Sequence, residues 1–141
     1  MIEVRDLKKS FGSHRVLDGV SFGIQAGETA IIIGRSGGGK SVLLKQISGL
    51  LAPDSGEVWN AGQNITQMNE RQLIEVRRRF GMVFQGAALF DSMTVAENVG
   101  FALRQSGELD EREIGRRVAQ ALEMVELPGT EDKKPAELSG G

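Results

Sequence analysis

Gly34-Arg35-Ser36-Gly37-Gly38-Gly39-Lys40-Ser41 matches the pattern G-x-x-x-x-G-K-S/T at every fixed position. The β-branched run Thr29–Ile33 precedes this loop and is typical of a buried parallel strand. Apolar residues after the loop recur with helical spacing and predict a helix that ends near Gly49. A strand, a glycine loop and a helix in this order predict an α/β fold built around a phosphate-binding loop.

The chemistry of phosphate binding explains these residue types. Glycines let the loop curl so that successive backbone N–H groups face phosphate oxygens, which side chains would otherwise block. The helix that follows adds the partial positive charge of its N-terminus. In a loop of this kind Lys40 reaches the β- and γ-phosphates and the Ser41 hydroxyl ligates Mg²⁺. The sequence therefore predicts a site for a nucleoside triphosphate with its Mg²⁺.

The composition excludes several other classes of function. The 141 residues are 40% hydrophobic and 26% charged, with a formal net charge of −2, which argues against nucleic acid as the main ligand. The chain has no cysteine, so disulfides, thiolate metal sites and a cysteine nucleophile are excluded. No stretch approaches the ~20 apolar residues of a membrane span, so we expect a cytoplasmic protein.

Periodicity and turn residues outline the remaining elements. Residues 2–33 are β-rich, with a turn at Gly12-Ser13, and the turn Pro53-Asp54-Ser55-Gly56 leads into a second β segment at 57–59. Residues 70–79 predict a short basic helix whose arginines 77–79 face solvent, and 80–84 predict a second buried strand.

The C-terminal part is helical in character from about residue 94. Its clearest helix is predicted over Asp110–Leu127, with Asp110 as the N-cap and Glu113 completing a variant of the capping box. The apolar face of this helix consists of Ile114, Val118, Leu122 and Val125.

Three further sequence features accompany the glycine loop, one before it and two after it. The last residues are Leu138-Ser139-Gly140-Gly141, Gln85 follows the predicted strand 80–84, and Phe11 precedes the first turn. Together with the loop, they resemble the signature, the Q-loop and the adenine-stacking aromatic of ATP-binding-cassette (ABC) ATPases. The resemblance covers essentially the whole chain.

Finer features resemble one subgroup of that family. Val42 follows the loop serine where most cassettes have threonine, and a distinctive run extends from Gly86 to Val99. Both resemble the ATPase subunits of bacterial MCE-type lipid transporters. This resemblance implies transport of phospholipid or a related lipid, a separate transmembrane permease, an MCE-type lipid-binding protein, and a location on the cytoplasmic face of the inner membrane.

The family resemblance also implies roles for individual residues. Gly34–Ser41 would hold the phosphates of ATP, with Lys40 and Gln85 catalytic and with Ser41 and Gln85 on Mg²⁺. Phe11 would stack on adenine. The alternative is that Phe11 is simply a hydrophobic residue at the end of a strand. Ser139, Gly140 and Gly141 would complete the ATP site of a second ATPase subunit in a head-to-tail dimer.

The resemblance implies a P-loop NTPase (RecA-like) fold for one partial ABC ATPase domain. Residues 1–93 would form an antiparallel β-subdomain and the core through the Q-loop, and residues 94–141 a helical subdomain. The family's Asp-Glu strand and its later histidine do not occur in this chain. We therefore expect the catalytic half to be absent, and ATP hydrolysis by an intact longer protein rather than by these residues alone.

Three alternatives remain open at the level of sequence. The chain could be a non-catalytic nucleotide-binding module or remnant, a cassette for another substrate, or a different phosphate-loop enzyme. A GTPase would carry an Asn-Lys-x-Asp base-reading motif, which is absent here.

Overall fold

The structure, a computed structural model, describes residues 1–84 and 88–138 of the chain. Two compact units divide it, the first over Met1–Met82 and the second beginning at Val83. The first unit contains a β-sheet with two helices, and the second unit is helical.

The sheet of the first unit is antiparallel throughout, with strand order β2-β1-β3-β4. Its strands are β1 (Ile2–Phe11), β2 (His14–Ile24), β3 (Ser55–Asn60) and β4 (Gln63–Asn64). β1 and β2 form a hairpin around Gly12, whose φ of 60° suits the tight turn. The predicted β segments at the N-terminus and after the Pro53 turn are thus confirmed.

One face of this sheet packs on helix α1 (Lys40–Ile47) and helix α2 (Glu70–Arg77). The buried core draws on β1, β2, β3 and both helices, and its members are Val4, Leu7, Leu17, Leu43, Ile47, Val58, Ile65 and Val76. The helix α1 ends at Ile47 and Gly49 follows with a φ of 70°, so the predicted end of this helix is confirmed.

The second unit pairs helix α3 (Val95–Ser106) with helix α4 (Glu111–Met124). Its core consists of Val95, Ile114, Val118 and Leu122. Gly100 allows the helices to approach, because a Cβ there would lie 3.2 Å from Ile114 Cγ2. Val125 lies beyond the last residue of α4 and is 60% exposed, so its predicted place on the buried face is wrong.

The N-terminus of α4 differs from the predicted capping box in one respect. The Asp110 carboxylate accepts the Glu113 N–H at 2.8 Å, as an N-cap should. The Glu113 carboxylate instead accepts hydrogen bonds from Arg116 and Arg117 on the same helix. The N-cap hydrogen bond of the box is therefore formed. The Glu113 side chain pairs with the two arginines and does not bond back to the N-cap residue.

Both predicted buried strands are wrong within the described residues. Neither Thr29–Ile33 nor the described segment 80–84 pairs with any strand. Ile31 and Ile33 are 81% and 90% exposed, and Val83 is fully exposed. A strand requires hydrogen-bonded neighbours, and a parallel strand is normally covered on both faces. Among the described residues, every strand pair is antiparallel and neither segment has a hydrogen-bonded neighbour.

Candidate nucleotide-binding site

The glycine loop ends where α1 begins, at Lys40. Gly39 is the N-cap residue with a φ of 83°, and Gly37 also has a positive φ, 76°. Gly38 N–H donates to the carbonyl oxygen of Arg35 at 3.0 Å, which closes a tight turn within the loop. The loop residues from Gly34 to Gly38, including Ser36, are exposed. The loop therefore presents its backbone to solvent directly before the helix N-terminus.

Two of the glycines occupy places where a side chain does not fit. A Cβ on Gly38 would lie 3.0 Å from the Arg35 carbonyl oxygen. A Cβ on Gly39 would lie 2.9 Å from Val16 Cγ1 and 3.0 Å from the Val16 carbonyl oxygen. A side chain at position 38 would therefore press on the curl of the loop, and one at position 39 would press on β2. Glycine at both positions lets the loop curl closely and pack against β2 while its backbone N–H groups stay accessible, as phosphate binding requires.

Lys40 is held inside the curl of the loop. Its Nζ donates to the carbonyl oxygens of Gly34 and Arg35, each at 2.8 Å. These bonds fold the side chain back toward the start of the loop, so its positive charge is placed beside the exposed backbone. Ser41 is exposed in the first turn of α1, where backbone N–H groups have no acceptor within the helix.

The β1–β2 hairpin links this loop to Phe11. Phe11 pairs with His14 at the hairpin end, and Val16, which meets Gly39, lies two residues beyond His14. Phe11 is 51% exposed. Lys9 Nζ lies 5.6 Å from its centroid, within the range of a cation–π interaction. An aromatic surface is thus available on the same hairpin that supports the loop.

Four of the predicted site residues lie outside the described residues. These are Gln85, Ser139, Gly140 and Gly141. Their proposed roles therefore remain predictions.

Three residues that support the site or the helix behind it were missed by sequence reasoning. Val16 supports Gly39, Asp54 bonds to Lys9 Nζ at 2.7 Å, and Gln46 is buried in α1. Val16 and Asp54 act through contacts between distant parts of the chain, for which the sequence pattern holds no signal. The burial of Gln46 has one weak signal in the sequence, which is its place beside the apolar Ile47 in α1.

The part of the chain that the structure describes holds neither a cluster of metal ligands nor a helix that could span a membrane. No cluster of three or more His, Cys, Asp or Glu side chains there has the arrangement of a metal site. Across residues 1–84 and 88–138, no helix combines the length and apolar character needed to cross a membrane.

The glycine loop before α1 and the supporting hairpin are the features of a P-loop α/β protein. The chain belongs to the ABC transporter family, whose model matches residues 17–141. The resemblance to ABC ATPases inferred from the sequence is thereby confirmed.

Three curated relatives are similar to the chain over all or nearly all of its length. The chain is 49% identical over its whole length to the chloroplast protein TRIGALACTOSYLDIACYLGLYCEROL 3 of Arabidopsis thaliana, of which it covers 41%. It is 44% identical over 99% of its length to the probable ribonucleotide transport ATP-binding protein mkl of Mycobacterium leprae, of which it covers 40%. It is also 42% identical to the methionine import ATP-binding protein MetN of Mesorhizobium japonicum, covering 38% of that protein. The chain thus spans well under half the length of these relatives.

Solved structures confirm the predicted fold class. The ATP-binding cassette MJ0796, in a dimeric post-hydrolysis state bound to ADP and Pi, matches with a TM-score of 0.86 and 31% identity. The match covers 99% of this chain and 63% of that one. A second dimeric structure of the same cassette matches with a TM-score of 0.88.

Proposed function

We propose that this chain is the nucleotide-binding part of a transport ATPase and that Gly34–Ser41 bind the triphosphate of ATP. The observation that carries the proposal is the position of Lys40, whose Nζ is held at 2.8 Å from the carbonyl oxygens of Gly34 and Arg35. An ammonium group placed there faces the exposed loop, where it would neutralise the β- and γ-phosphates.

Mg²⁺ would be bound by Ser41 together with phosphate oxygens. The exposed hydroxyl in the first turn of α1 is an oxygen ligand of the kind that Mg²⁺ accepts, and the remaining ligands would come from the nucleotide and water. Gln85 would supply a second contact to Mg²⁺ and orient the attacking water. When bound, Mg²⁺ would neutralise charge that develops on the phosphates during hydrolysis.

The remaining predicted residues would complete the site between two copies. Phe11 would stack on the adenine ring, supported by its 51% exposure at the hairpin end. Ser139, Gly140 and Gly141 would contact the ATP of a second ATPase subunit in a head-to-tail dimer. The dimeric state of the structurally similar cassette MJ0796 supports this arrangement.

We propose a phospholipid or a related lipid as the transported substrate. The similarity to a chloroplast protein named for trigalactosyldiacylglycerol, at 49% identity, supports a lipid. Relatives named for ribonucleotide transport and methionine import, at 44% and 42% identity, define the competing substrates. The intact protein would act with a transmembrane permease and an MCE-type protein on the cytoplasmic face of the inner membrane.

The experiment is an ATPase assay on the full-length protein, reconstituted in liposomes with its transmembrane permease. We expect phospholipid to stimulate turnover, and neither methionine nor ribonucleotides to do so. Stimulation by methionine or by a ribonucleotide would replace the lipid assignment. The Lys40→Ala variant is the control that ties turnover to this loop, and turnover that survives it would contradict the site.

A further inference from the structure

The turn after α1 is tied to the end of β1 by three hydrogen bonds, all of which involve Asp54. Its N–H donates to the Lys8 carbonyl oxygen at 3.0 Å. Its carboxylate accepts the Ser10 N–H at 2.7 Å through one oxygen and Lys9 Nζ at 2.7 Å through the other. Lys8, Lys9 and Ser10 are the three residues that precede Phe11, so Asp54 ties the backbone that leads into the aromatic ring through its own N–H and its carboxylate.

These bonds act where the hairpin ladder is irregular. The register between β1 and β2 shifts between Lys9 and Ser10, and the shift leaves Val16 as an extra residue on β2. An irregular ladder constrains a strand end less than a regular one. The Asp54 carboxylate supplies the missing constraint from another part of the chain.

Lys9 connects Asp54 to the ring itself. The Lys9 side chain is only 15% exposed, and its ammonium lies between the Asp54 carboxylate and the Phe11 ring, 5.6 Å from the ring centroid. Hydrogen bonds from Lys9 and then from the Ser10 backbone lower the pKa of Asp54. The carboxylate is therefore charged at neutral pH and keeps the ammonium in place.

We propose that Asp54 and Lys9 are positioning residues for the nucleotide base, holding the Phe11 ring in the orientation on which a purine stacks. The inference rests on the proposed role of Phe11 in ATP binding. Lys9 restrains the ring by a cation–π contact, while Phe11 remains about half exposed and accessible to the base. Asp54 makes no hydrogen bond to the glycine loop among the bonds described, so we expect its effect to fall mainly on the base.

The test separates binding of the base from binding of the phosphates. Dissociation constants of the full-length protein are measured for Mg-ATP and for Mg-tripolyphosphate, which has the phosphates but no base. The ratio of the two constants reports the contribution of the base. A variant that merely loosens the fold would weaken both ligands and leave this ratio unchanged.

We expect Asp54→Asn and Lys9→Met to lower the preference for ATP over tripolyphosphate by roughly threefold to tenfold, the size of a lost aromatic or cation–π contact. Lys9→Arg keeps the charge and should retain most of the preference. Asp18→Asn is the matched control, since this carboxylate on β2 bonds only to Arg15 among the described residues and should leave the ratio unchanged. If Asp54→Asn does not fold, the two Lys9 variants carry the test.

Phe11→Ala distinguishes the two ways in which the inference could fail. If Phe11→Ala lowers the preference for ATP while Asp54→Asn and Lys9→Met do not, the positioning role is overturned and the stacking role stands. If Phe11→Ala leaves the preference unchanged, base stacking on Phe11 is itself wrong. The positioning role is supported when the effect of Asp54→Asn disappears in the Phe11→Ala background.

Discussion

Gly39 and Val16 meet so closely that the loop and the hairpin pack without space between them. A Cβ built on Gly39 would lie 2.9 Å from Val16 Cγ1, and Gly39 itself has a φ of 83°. Gly39 is also the N-cap residue of α1. The contact therefore joins the end of the glycine loop and the start of α1 to β2, the strand whose pairing with β1 is irregular near Phe11.

Replacing Gly39 by alanine should be more damaging than the same change at Gly37. Gly37 has a similar φ of 76° but a Cβ there would meet nothing within 4 Å, so Gly37→Ala carries only the backbone cost of about 1–2 kcal/mol. Gly39→Ala carries this cost and an overpacking cost of about 1–3 kcal/mol against Val16. Urea unfolding of both variants in the full-length protein measures the difference, and equal losses would contradict the contact.

Neutralising Glu113 should weaken stability in a pH-dependent way. Hydrogen bonds from Arg116 and then Arg117 lower the pKa of this carboxyl from 4.5 to about 2. The folded state favours the ionised carboxylate. Its stabilising effect is therefore fully present above the pKa of Glu113 in the unfolded chain, and it is lost as the pH falls from that value to the pKa in the folded protein. The free energy of unfolding of wild type minus that of Glu113→Gln should be constant near neutral pH and shrink below about pH 4.5.

The control for this pH series is Glu123→Gln. Glu123 lies near the other end of α4, and no ion pair involves it within the described residues. A difference for Glu113→Gln that stays flat down to about pH 3 would show that the arginine pairs do not form in solution.

Replacing Gln46 by leucine should stabilise the first unit. Gln46 is 1% exposed, and neither its Nε2 nor its Oε1 has a hydrogen-bond partner. Its side chain lines a cavity of about 120 Å³ whose other walls include Leu50 and Met68. A buried amide without partners costs about 1–3 kcal/mol, so Gln46→Leu should raise the free energy of unfolding by a similar amount.

An exposed glutamine supplies the comparison for Gln46. Gln67→Leu should change the free energy of unfolding by less than about 0.5 kcal/mol, because Gln67 is exposed. A loss of stability in Gln46→Leu would mean that ordered water in the cavity bonds to the amide.

Sequence patterns correctly predicted the elements whose backbone hydrogen bonds are made between residues close in the chain. The hairpin follows from its turn glycine, α1 from the apolar spacing after the loop, and α4 from its N-cap and the face of Ile114, Val118 and Leu122. These elements form their hydrogen bonds from nearby residues, so the sequence pattern suffices.

Elements that depend on distant partners could not be predicted in the same way. The runs at 29–33 and 80–84 have strand composition, but a strand also needs a hydrogen-bonded neighbour, and neither run has one among the described residues. Arg77, expected to face solvent, instead donates to the Gly49 carbonyl oxygen at 2.6 Å because α2 packs beside the end of α1. The glycine loop was recognised from its pattern, whereas the bond between Lys9 and Asp54 joins residues that are close only after folding.

Calorimetric titration of the full-length protein with Mg-ATP, in wild type and in Lys40→Met, tests the central claim most directly. Methionine keeps the length of the side chain but removes the ammonium that Gly34 and Arg35 hold. Loss of a charge-assisted contact to phosphate predicts an affinity lower by about tenfold to a hundredfold, with the unfolding temperature in the absence of nucleotide little changed. Equal affinity in the two proteins would contradict phosphate binding at this loop.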